Sequence, residues 1–205
     1  MMNKRSRKIG AKIYVLCNGE LAEPQYFKEF KDQLAIPQQI IVRNKPFIHM
    51  APWNFIEATI QYKEELIEKD KFAVSYGDQI WCVFDIDNYW KDNQKDFSAA
   101  VELAKKNKIN LAWSNQCFEL WYLCHFDATL SAMPRADYHK KLKDRLKKNG
   151  LGVYTKNMQG AYNLLRPFQH DGIKNAKKLY VKDNVGKDPS TAVFLLVEEM
   201  NNLAK

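Results

Sequence analysis

Two hydrophobic periods alternate along the first two-thirds of the chain. Residues 12–17 (KIYVLC) form a short apolar, β-branched run that stops at the turn pair Asn18-Gly19, as a strand does. Pro24 suits the first turn of a helix, and Tyr26, Phe27, Phe30 and Leu34 recur on one helical face. Residues 39–43 (QIIVR) read as a second strand. Pro52 then opens a helix to about Lys71, with Phe55, Ile56, Ile60 and Leu66 inward. Residues 79–85 (QIWCVFD) are the most continuous apolar run, as expected for the middle of a parallel sheet. A helix over 96–107, a strand over 110–113 and a buried helix over 116–126 follow; the last is apolar nearly all round. From Pro134 the period is helical only, over 136–148, 158–165, 172–181 and 191–203.

Strands alternating with helices predict an α/β protein: a parallel sheet with right-handed crossovers, then an all-helical C-terminal part. At 205 residues the expectation is a single domain, with an α/β core over about 12–127 and a basic helical part over about 128–205. No repeat, low-complexity tract or linker interrupts it.

Charge sharpens this division. Residues 1–127 carry 17 Lys+Arg and 17 Asp+Glu, whereas residues 128–205 carry 15 and 7, so the whole net charge of +8 lies in the second part. A neutral half followed by a basic half suits a phosphate-backbone ligand, and equally a solvated helical surface. No run approaches the roughly 20 apolar residues that span a bilayer, and the run after the basic N-terminus is too short for a signal peptide, so a cytoplasmic protein is expected. Cys17, Cys82, Cys117 and Cys124 offer no CxxC pair and read as buried free thiols rather than zinc ligands.

Open parallel sheets bind ligands at the carboxyl ends of their strands. Two acidic groups fall there: Glu20 and Glu23 after the first strand, and Asp85 and Asp87 at the end of the central one. Residues i and i+2 of an extended segment face the same way, so Asp85 and Asp87 can approach one point, where hard oxygen ligands suit Mg²⁺ or Mn²⁺. The alternative is that they cap the next helix or the turn at Asn88. Asn115 is placed to cap the helix that follows the fourth strand and aim its amides at a phosphate. Glu119 lies inside an apolar run and therefore needs a partner: a metal, a structural hydrogen bond or an ion pair with a basic residue. Lys140, Lys141, Lys143, Arg145, Lys147 and Lys148 decorate one helix, as a solvated face or as contacts to a nucleic-acid backbone. Lys156, with Tyr162 and Arg166 nearby in sequence, is a candidate to offset charge on a phosphate. His125 reads as the satisfied end of its helix, and His49, His139 and His170 have no sequence neighbours that suggest catalysis. No nucleophile motif and no phosphate-cradling glycine loop is present.

Four ordered segments, VLCNGELAEPQYF (15–27), WCVFDID (81–87), SNQCFELWYLCHF (114–126) and DPSTAVFLLVEEM (188–200), resemble the RloB-like family, which includes the abortive-infection protein AbiLii. The resemblance runs from about residue 12 to residue 203, and SNxxFExW is its most specific part. It implies a Toprim-like fold and a role in anti-phage defence. It further implies a Mg²⁺-dependent nuclease acting on DNA or RNA beside a partner ATPase of the ABC/AAA type. Carried over residue by residue, Asp85 and Asp87 match the DxD, and Glu20 and Glu23 match acids of the first motif. Asn115, Phe118 and Glu119 match the third. Asp85, Asp87 and Glu20 would hold the metal, Glu23 or Glu119 would complete or orient the shell, and Lys156 would meet the phosphate. One departure stands out: the family's first motif reads Cys-Glu-Gly-Glu, and Asn18 occupies the place of its metal-binding glutamate. Asparagine offers only a neutral carbonyl oxygen. A degenerate site that binds or senses nucleic acid or a nucleotide without cutting is therefore the alternative reading.

Overall fold

A computed structural model describes residues 10–86, 93–127, 131–156, 158–182, 184 and 186–204. Strands β1 (Ile13–Cys17), β2 (Ile40–Arg43), β3 (Gln79–Asp85), β4 (Asn110–Asn115) and β5 (Ser190–Thr191) form one sheet in the order β2-β1-β3-β4-β5. The first four are mutually parallel and β5 is antiparallel to β4. Helices α1 (Ala22–Asp32), α2 (Pro52–Glu68) and α3 (Gln94–Lys106) connect the parallel strands. Beyond β4 come α4 (Glu119–Cys124), α5 (Arg135–Lys148), α6 (Ala161–Leu165), α7 (Gln169–Leu179) and, after β5, α8 (Val193–Leu203). This is the mixed α/β architecture that the alternating periods predict. No described helix is long and apolar enough to cross a membrane.

The pleat sorts the strand residues into two apolar layers. Ile13, Val15, Cys17, Trp81 and Val83 face α1 and the C-terminal helices, where Tyr26, Phe30, Trp121, Leu142 and Val197 join them. Tyr14, Leu16, Ile80, Cys82 and Phe84 face α2 and α3, with Phe55, Ile56 and Phe97. Both faces being covered explains why β1 and β3 read as unbroken apolar runs. All four cysteines are buried free thiols, as expected.

Three boundaries differ from the sequence expectation in ways that matter for the site. Helix α1 starts at Ala22, two residues before Pro24; proline is tolerated there because first-turn amides have no intrahelical acceptor. Glu23 is therefore a helical residue rather than part of a turn. Helix α4 spans only Glu119–Cys124, shorter than the expected 116–126. Finally, the expected helix over 191–203 begins at Val193, because Ser190 and Thr191 instead pair with Asn115 and Ser114. A two-residue strand is too short to show a period of two, so its polar pair reads as loop.

Candidate functional site

Strand register aligns the carboxyl ends of the central strands: Cys17 pairs with Val83, and Asp85 pairs with Ser114. Above them lies a cleft of about 660 Å³ whose walls include Gly19, Glu23, Asp85, Glu119, Arg135 and Lys156. Asp85 continues the face of Trp81 and Val83, which carries it toward α1, α4 and α5. Glu23 comes from the first turn of α1 and Glu119 from the first residue of α4. Three carboxylates from three separate elements thus line one cleft.

Each is held differently. Glu23 is 3% exposed, and its Oε2 has no hydrogen-bond partner. Burial first, and the neighbouring Asp85 carboxylate second, push its pKa well above the ordinary range, opposed in part by a hydrogen bond from the Gly19 backbone. Gly19 is needed for that approach, because a Cβ there would lie 1.8 Å from Glu23 Oε2. Asp85 accepts a hydrogen bond from Arg135 at 3.0 Å, with Asp85 17% and Arg135 39% exposed in their side chains. Glu119 is 2% exposed; its Oε1 accepts a hydrogen bond from the Tyr154 hydroxyl and lies 3.0 Å from His139 Nε2. Burial raises its pKa, but the hydrogen bonds from Tyr154 and Cys117 and the neighbouring His139 outweigh burial and leave it below the usual value. Glu119 is thus an anchored carboxylate, while Glu23 keeps an unpartnered oxygen and shares with Asp85 the charge of Arg135.

The sequence candidates separate accordingly. Glu20 and Lys156 line the cleft as exposed residues, whereas Glu23 and Glu119 are buried and Asp85 is half-buried. Asp87 lies outside the described residues. Among the described residues, no three His, Cys, Asp or Glu side chains form a ready metal-holding group. Asn18 lines the cleft, but its amide nitrogen donates to Phe47 O and Met50 O, both at 3.0 Å, and so holds the loop after β2. Asn115 does not cap the following helix: its amide donates to the carbonyls of Gly186 and Lys187, tying β4 to the approach to β5. Tyr162 and Arg166 do not accompany Lys156. Tyr162 stacks on Phe30 at 4.6 Å between ring centroids, and Arg166 bonds Gln33.

The basic helix is not one uniform face. Lys141 and Arg145 turn inward to Asp127, at 3.4 and 2.8 Å, while Lys140, Lys143, Lys147 and Lys148 are exposed. His125 is a buried core residue with Nδ1 3.0 Å from Trp121 O, and burial lowers its pKa to about 4.

Arg135, His139 and Tyr154 were not legible as site residues. His139 lies one helical turn beyond Arg135, so α5 sets one basic group over Asp85 and the next over Glu119. A signal did exist for Arg135. A cation in the first turn of a helix opposes the macrodipole, which hints at an anionic partner elsewhere.

A family model described as RloB-like protein matches residues 13–200. No curated protein and no solved structure is matched.

Proposed function

The chain belongs to the RloB-like family, and from that premise we propose that it is a defence-associated, metal-dependent nuclease that hydrolyses phosphodiester bonds of DNA or RNA, working with an ABC/AAA-type ATPase. The observation that carries this reading is the floor of the cleft. Glu23 is buried with an oxygen that has no partner, beside Asp85 and Glu119, in a cleft also lined by Arg135 and Lys156. Carboxylates crowded out of water favour a hard cation between them, and Mg²⁺ or Mn²⁺ fits this donor set in charge and hardness.

Glu23 and Asp85 would hold the cation, with Glu20 able to reach from the rim and Asp87 as the further carboxylate of the DxD. A bound divalent ion supplies Lewis-acid polarisation of a phosphoryl oxygen and a more acidic water. The protein's own groups do the rest. Glu119 keeps Tyr154 and His139 in place on the α5 side of the cleft. Lys156 lies where it can offset charge growing on a phosphate. Gly19 leaves room for Glu23, since a Cβ there would lie 1.8 Å from its Oε2.

The test pairs calorimetric titration of Mn²⁺ with cleavage of end-labelled single- and double-stranded DNA and RNA, on wild type and Asp85→Asn. The expected result is loss of Mn²⁺ binding and at least a roughly hundredfold loss of cleavage with the fold retained, the scale for removing an essential metal-site group. Equal cleavage by both proteins overturns the reading.

A second reading, a binding or sensing module without turnover, is favoured by Asn18. Its amide nitrogen is committed to the loop carbonyls, so the cleft holds one carboxylate fewer than the family's first motif implies. Mn²⁺-dependent oligonucleotide affinity without any product would select it.

A further inference from the structure

We propose that Arg135 alternates between two partners: Asp85 in the cation-free cleft, and a substrate phosphate once a divalent cation occupies Asp85. The inference rests on the metal-dependent reading above and adds the residue that links metal loading to substrate capture.

Arg135 is the first residue of α5, and its guanidinium reaches across the cleft to Asp85 at 3.0 Å. A cation gains nothing from a helix N-terminus, so the acidic floor is what holds it there. The contact is half-open: the arginine side chain is 39% exposed and the aspartate 17%. Partner exchange is therefore possible without unpacking the core. The helix itself stays put, since Tyr138, Leu142 and Leu146 are fully buried and Lys141 and Arg145 are fastened to Asp127.

Charge gives the exchange its direction. Arginine and a divalent ion compete for the same carboxylate, and the ion carries twice the charge at a shorter contact distance. A guanidinium displaced from Asp85 stays beside the cleft on the first residue of α5, and among the described carboxylates Glu119 already accepts a hydrogen bond from Tyr154. Its planar fork matches phosphate bidentately, which the point charge of Lys156 does not. Metal entry would thus expose a phosphate clamp at the moment the phosphate can react.

The experiment measures two affinities on wild type, Arg135→Gln and Arg135→Lys. Mn²⁺ is titrated by calorimetry, and a labelled 12-nucleotide single strand is titrated by anisotropy in Ca²⁺. For Arg135→Gln the expected result is opposite movement. Mn²⁺ binds roughly tenfold tighter because its competitor is gone, and the oligonucleotide binds roughly tenfold weaker, with its salt slope shallower by about 0.7. Arg135→Lys keeps Mn²⁺ affinity near wild type and still weakens the oligonucleotide, because the charge remains and the fork is lost. Should Arg135→Gln not fold, as thermal melting will show, Arg135→Lys alone decides: unchanged oligonucleotide affinity overturns the proposal. If wild type binds Mn²⁺ and Arg135→Gln binds it no tighter, the exchange is wrong while the metal site stands. If neither protein binds Mn²⁺, both the exchange and the metal-dependent reading fall.

Discussion

The two ends of β3 carry an aspartate each, one just before the strand and one at its close, and the two are used in opposite ways. At the amino end, Asp78 Oδ1 accepts the Lys12 amide at 2.8 Å and Oδ2 accepts the Ala73 amide at 2.9 Å. Both oxygens are spent on backbone, and they lock the entry to the strand against β1 and the preceding loop. At the carboxyl end, Asp85 meets a side chain brought from 50 residues away and stands beside two further carboxylates, one buried with an unpartnered oxygen. Carboxylates whose oxygens are both satisfied by backbone amides are structural. Carboxylates gathered from distant elements against their mutual repulsion need a ligand to explain them.

The sharpest way to break this contrast is to neutralise each aspartate. Asp85→Asn should lower metal-dependent cleavage at least about a hundredfold while the melting temperature moves little. Asp78→Asn should do the reverse. Its new NH₂ group faces a backbone N–H, so stability falls by about 2 kcal/mol, while the rate per folded molecule stays at the wild-type level. Chemical denaturation and initial-rate assays on both variants check the pair. If Asp78→Asn lowers the rate as much as Asp85→Asn, the division between the two ends is wrong.

Asn18→Glu comes next. Restoring the family's glutamate looks like a repair of the first motif. In this fold, however, the amide nitrogen of Asn18 donates to Phe47 O and Met50 O, and a carboxylate would set an acceptor against two acceptors. The expected outcome is a loss of about 2–3 kcal/mol with no gain in Mn²⁺ affinity, the scale of leaving buried acceptors unsatisfied. A gain in affinity at unchanged stability would show that the loop can give up its clamp.

Glu23→Gln should act in the opposite sense. The folded-state pKa of Glu23 is raised, so the stability linked to its proton is fully present below the unfolded pKa and is lost as pH rises through the folded value. In metal-free buffer at neutral pH the amide removes that penalty, and stability should rise by about 1–2 kcal/mol, with the gain vanishing in acid. Urea melts from pH 4 to pH 8 measure it. A variant less stable than wild type at every pH would show that the carboxylate already has its counter-charge. By contrast, Asp78 should show no such gain, because its partners are amides.

How much of this was readable in the sequence follows from where the determinants sit. Strands β1 and β3 announce themselves because both faces are buried, and Asp85 was identifiable because strand ends in a parallel sheet are predictable binding positions. Glu119 stood out as an acid inside an apolar helix. What could not be read are the pairings that depend on the C-terminal helices: Arg135 on Asp85, and His139 and Tyr154 on Glu119. No local pattern encodes contacts between residues 20, 35 and 50 positions apart. The roles of Asn18 and Asn115 were missed for a related reason. Each amide donates to carbonyls that only the fold brings near.

The smallest expected effect concerns the basic helix, where the same distinction between engaged and open charges divides residues that look equivalent in sequence. Lys141 and Arg145 neutralise Asp127, whose side chain is only 11% exposed, so Arg145→Gln would strand a mostly buried carboxylate and act on stability. Lys140, Lys143, Lys147 and Lys148 are exposed and have no such duty to perform. Exchanging all four for Gln should therefore shift stability by less than about 0.5 kcal/mol. If the helix touches a nucleic-acid backbone, the exchange should also reduce the salt slope of oligonucleotide binding by about 0.7 for each phosphate that is no longer neutralised. An unchanged slope assigns the four lysines to solvent alone, and confines the proposed phosphate contacts to Arg135 and Lys156 in the cleft.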